Sequence, residues 1–96
     1  MNQKYKTMAN KRTLKKAITQ ICEELFTEAI AASLYGNEAH KGNAEALLVS
    51  IIKTQSNYIS RVSHPEPGIK AKKYYKDLRE KFAAQASEIA DQINNL

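Results

Sequence analysis

Residues 62–68 read Val62-Ser63-His64-Pro65-Glu66-Pro67-Gly68, and this short stretch decides the fold. Pro65 disfavours helical geometry at the residue before it, so a helix arriving from the N-terminal side stops at about Val62 or Ser63. Pro67 is suited to the first turn of a new helix, where its missing N–H costs nothing. A second break, Gly36 to Asn43, precedes it. Three segments with helical apolar spacing lie between and around the two breaks, and loops this short join antiparallel neighbours. The fold class expected is all-α, an up-down-up three-helix bundle, completed by dimerisation, with helices over about 11–35, 44–63 and 68–94.

Each segment presents a different apolar face. In the first, Leu14, Ile18, Ile21, Cys22, Leu25 and Ala29 recur at three- and four-residue steps and gather on one side. Asn10 or Thr13 is suited to cap its start, and Gly36 and Asn37 are residue types that accept the left-handed conformation after a helix. Phe26, Ile30 and Leu34 form a second ridge beside the first stripe, wider than one neighbour requires. The second segment, with Asn43 as cap and Glu45 in its first turn, carries Leu47, Leu48, Ile51, Ile52, Tyr58, Ile59 and Val62. Gln55 sits near the angular centre of that stripe, with Tyr58 or Ser33 as its expected partner. The third has a narrow seam of Tyr75, Leu78, Phe82, Ala86, Ile89, Ile93 and Leu96.

The chain of 96 residues is large enough for one core and one domain, expected over residues 9–96 behind a basic, poorly ordered arm at residues 1–8. A single cysteine, Cys22, rules out an intramolecular disulfide and fits a reducing compartment, so a cytoplasmic location is expected. No apolar run approaches the roughly 20 residues that span a bilayer, and no membrane partner is expected.

Charge is distributed unevenly. Residues 1–22 carry Lys4, Lys6, Lys11, Arg12, Lys15 and Lys16 with no acid, a net +6. Residues 57–81 carry Arg61, Lys70, Lys72, Lys73, Lys76, Arg79 and Lys81 against Glu66, Asp77 and Glu80, a net +4. In an up-down-up bundle both regions fall at one end, while residues 23–56 and 82–96 are net −3 and −2. One strongly basic pole is therefore hidden in a net charge of +5. Cations at a helix N-terminus oppose the macrodipole by about 0.3–1 kcal/mol each, and a cluster of them there attracts anions. Lys11, Arg12, Lys15, Lys16, Lys72, Lys73 and Lys76 are the candidate polyanion-binding residues, with Tyr5, Tyr74 and Tyr75 interleaved as flat rings.

No constellation for catalysis, metal or cofactor binding emerges. His64 suits a helix C-terminus, and His40, the other histidine, belongs at the opposite end of the bundle. Glu24 and Glu28 share a helix face but lack the Glu-x-x-His pairs of a di-metal carboxylate bundle. Cys22 falls on the apolar stripe, away from any activating base. Cys22-Glu23-Glu24-Leu25-Phe26, Ala31-Ala32-Ser33-Leu34-Tyr35, the Ser63 to Gly68 break and Lys76-Asp77-Leu78 together resemble a family of short, uncharacterised all-helical bacterial proteins. The resemblance covers nearly the whole chain and implies no activity.

Two functions are expected in order. The first is a non-enzymatic helical interaction module that forms a homodimer through Phe26, Ile30 and Leu34. The second is accessory binding of nucleic acid or another polyanion at the basic pole.

Overall fold

The computed structural model describes residues 11–36 and 41–96, and the arm at residues 1–8 together with Asn10, Asn37 and His40 lies outside them. Three helices follow in order, α1 over Lys11–Tyr35, α2 over Lys41–Ser63 and α3 over Ala71–Asn94, with no strand among the described residues. They pack as an antiparallel three-helix bundle in which α1 and α2 make the most extensive contact. Ala29 and Ala44 are both fully buried, and side chains this small let two backbones approach closely. The core runs through Ile18, Cys22, Leu25, Ile51, Tyr58, Val62, Leu78, Phe82 and Ile89. Large side chains fill the space beneath α3, where the Tyr58 and Phe82 rings meet edge to face with centroids 5.2 Å apart.

Both helix starts depart from expectation. α2 begins at Lys41, so Asn43 lies inside the helix instead of capping it and Glu45 falls beyond the first turn. α3 begins at Ala71, later than residue 68, because Gly68 takes φ +89°, a left-handed conformation that no right-handed helix can include. Pro67 therefore belongs to a turn and not to the first turn of α3. Lys70 occupies the N-cap position with extended backbone and makes no side-chain capping bond. Gly36 does not adopt positive φ. Its role is steric, since a Cβ there would collide with the Ala32 carbonyl oxygen.

The loop between α2 and α3 is clamped by two tyrosines. Helix C-termini leave their last carbonyls without intrahelical donors. Tyr75 donates its hydroxyl to the Val62 carbonyl at 3.1 Å, and Tyr74 donates to the Arg61 carbonyl at 2.9 Å. His64 adds a bond between its Nδ1 and the Ser60 carbonyl at 3.1 Å, in which the carbonyl accepts and the ring nitrogen must carry the proton. His64 thus holds the end of α2, as its position in the sequence implies.

Candidate interaction surface

Three helices enclose three grooves, and each has a different chemistry. The α2/α3 groove is mixed, with Ser50, Lys53, Thr54, Asn57 and Gln85 lining it beside Ala46 and Val49. Within it Tyr58 donates to Gln85 Oε1 at 3.3 Å, and Gln85 Nε2 donates to Thr54 Oγ1 at 3.4 Å. The buried polar residue of the α2 seam is Thr54, not Gln55. Tyr58 is engaged with Gln85, so the expected Gln55–Tyr58 pairing does not form. The reason is geometric. Leu48, Ile52 and Ile59 all belong to the flank of α2 away from α3, and including them in one stripe displaces its apparent centre towards Gln55.

The α1/α2 groove is lined by Cys22, Phe26 and Thr27 of α1 and by Ile52 and Gln55 of α2. This is where the second ridge of α1 emerges. Phe26 packs half-buried against the core, Ile30 is 38% exposed and Leu34 is 70% exposed. Ile52 adds a further large apolar side chain, 56% exposed, from the neighbouring helix. The α1 ridge expected from the sequence is therefore present, and α2 widens it into a strip.

The α1/α3 groove is small, about 190 Å³, and almost wholly apolar. Ile21 lies on its wall with 40% of its surface exposed, although the sequence groups it with the core stripe. α3 reaches Leu14 and Ile18 but does not cover the next residue of the stripe on that side.

The candidate polyanion-binding residues lie on the first turns of α1 and α3. Lys11, Arg12 and Lys16 are exposed at the start of α1 and Lys15 is half-buried. Lys72, Lys73 and Lys76 are exposed in the first turns of α3. Lys73 is 3.4 Å from Asp77 one turn on, with both side chains well exposed, a pairing that contributes only about 0.3–0.5 kcal/mol. Neither described helix start beside this pole, that of α1 or of α3, carries an acid in its first turn. Tyr74 and Tyr75 contribute their hydroxyls to the α2 terminus, and their rings meet edge to face at 5.2 Å. Arg61 lies 5.0 Å over the Tyr58 ring.

Burial pushes the Cys22 thiol above its ordinary value, the direction opposite to that of a nucleophilic cysteine. Among the described residues no group of three or more His, Cys, Asp or Glu side chains is arranged to hold a metal ion. Nor is any helix among them long and apolar enough to cross a membrane. Set against protein-family models, curated proteins and solved structures, the chain finds no match.

Proposed function

We propose that this protein is a non-enzymatic helical interaction module that self-associates through the strip formed by Phe26, Ile30 and Leu34 of α1 with Ile52 of α2, and that it works in the cytoplasm. The observation that carries this reading is the exposure of Ile30, Leu34 and Ile52 on neighbouring helices. Single exposed apolar residues are ordinary, but a strip shared by two helices marks a surface for association. Burying a fully exposed side chain of this size contributes about 1.5–3 kcal/mol, so Leu34 and Ile52, which are the most exposed, supply most of the drive to pair, and the partly covered Ile30 and Phe26 supply less. A two-fold arrangement buries the strip against its own copy. The lone, buried Cys22 suits a reducing compartment. Substituting Ile30→Glu lowers the mass of the assembly at unchanged helicity; an assembly of the same mass as wild type overturns the reading.

A second reading, weak polyanion binding, is favoured by the exposure of Lys72 and Lys76 beside the cations of the α1 start. Phosphate contacts release counterions, so retention on heparin falls steeply as salt rises. Reversing the charge of Lys72, Lys73 and Lys76 together abolishes that retention under this reading, and unchanged retention contradicts it.

A further inference from the structure

We infer that the α1/α3 groove, on the opposite flank of α1 from the Phe26 ridge, is a second self-association surface that receives another copy of this chain in antiparallel orientation. Ala17 and Ile21 wall the groove on α1, and Ala83 and Ala86 wall it on α3. Ala17, Ile21, Glu24 and Glu28 follow at steps of four, three and four, so they form one ridge along α1, and all four are exposed. Lys72, Lys76, Arg79, Ala83 and Ala86 follow at steps of four, three, four and three and form the facing ridge of α3. The two helices run in the same direction in an up-down-up bundle. Each groove therefore passes from a basic end on α3, through an apolar middle, to an acidic end on α1.

The spacing of the two charged ends is matched. Ile18 and Phe82 both line the groove. Glu24 lies six residues C-terminal to Ile18 and Lys76 six residues N-terminal to Phe82. At a rise of about 1.5 Å per residue each charge is about 9 Å from the apolar middle, on opposite sides. Glu28 and Lys72 lie ten residues from the same references, about 15 Å to either side. Turning a second copy end for end about the middle of the groove sets Glu24 against Lys76 of the other copy and Glu28 against Lys72, twice over by symmetry. A parallel arrangement would instead oppose like charges at both ends. Among the described residues none of these four side chains forms an ion pair within its own subunit.

The surface is tested with the full chain carrying Ile30→Glu, so that the Phe26 ridge is disabled and only the groove is read. Three proteins are compared by sedimentation equilibrium: this parent, the parent with Glu24→Lys and Glu28→Lys, and the parent with Lys72→Glu and Lys76→Glu. The parent is expected to be a dimer, lighter than the wild-type assembly, which uses both surfaces. Each charge-reversed protein alone associates about tenfold or more weakly, because opposed charges become like charges. An equimolar mixture of the two regains the affinity of the parent, since every opposed pair is again of opposite sign. A monomeric parent, charge-reversed proteins that associate as the parent does, or a mixture that stays monomeric overturns the inference. Circular dichroism reports whether each protein is folded. If either reversed protein loses helicity, salt titration of the parent decides, with dissociation favoured as salt screens the exposed pairs and unchanged affinity contradicting the groove. Failure of the Phe26 ridge is seen separately, as a wild type no heavier than the parent.

Discussion

Tyr75, near the start of α3, donates its hydroxyl to the carbonyl of Val62, near the end of α2, across 13 residues of sequence and within the core. The bond ties the two helices beside the turn that connects them, and it satisfies a carbonyl that α2 leaves open. Tyr75→Phe keeps the ring and removes the donor, so the Val62 carbonyl loses its partner in a buried setting. The expected loss is about 1–3 kcal/mol in urea unfolding. Tyr74→Phe, whose hydroxyl acts at the exposed edge of the same turn, costs less because water replaces the donor. Equal losses for the two would contradict the clamp.

Gly68 holds φ +89° with open space around its α-carbon. Any penalty at this position comes from backbone conformation alone, since a Cβ meets no neighbour. Gly68→Ala is expected to lower stability by about 1–2 kcal/mol, read as a fall in the urea midpoint at constant m-value. A neutral result would mean that the turn between Pro67 and Lys70 is not held in this conformation.

Lys70 stands at the N-cap of α3 without making a side-chain capping bond. Lys70→Asp introduces an acceptor for the first free N–H groups and replaces a cation that opposes the dipole. A gain of about 1 kcal/mol is expected, corresponding to a melting temperature higher by roughly 4–8 °C for a domain of this size. No gain would place the start of α3 elsewhere.

Cys22 is shielded inside the core, and desolvation raises its thiol above the ordinary value of 9.0. Above that pH the unfolded chain releases the Cys22 proton while the folded chain retains it, so the contribution of this group to stability falls as pH rises towards the folded value. Below the unfolded value both states hold the proton and the group contributes no pH dependence. Native protein is expected to react slowly with a thiol reagent and rapidly once denatured. Fast native labelling would show that the α1 stripe is open to solvent at this position.

The helical faces were legible because burial in a small bundle follows angular position. Leu14, Ile18, Cys22, Leu25 and Ala29 on α1 and Tyr75, Leu78, Phe82, Ile89 and Ile93 on α3 are buried as their spacing implies. Ile21 and Gln55 show where that reasoning stops. A hydropathy stripe sums every surface an apolar residue could cover, whether by a helix of the same chain or by something outside it. Ile21 joins the core stripe by spacing yet remains 40% exposed, and the exposed Ile52 drew the apparent centre of α2 towards Gln55. α3 starts later than the sequence implies because Pro67 is equally at home in a helical first turn and in the turn that Gly68 completes. The tyrosine clamp has no sequence signal at all, since it depends on which carbonyls the bundle brings within reach of two hydroxyls 13 residues away.

Self-association is the central claim, and sedimentation equilibrium of the wild-type chain from low to high micromolar concentration tests it most directly. The expected result is a mass above that of one chain throughout the upper part of the range, with Ile30→Glu lighter at equal helicity. A wild type that sediments as a single chain at the highest concentration would contradict the claim.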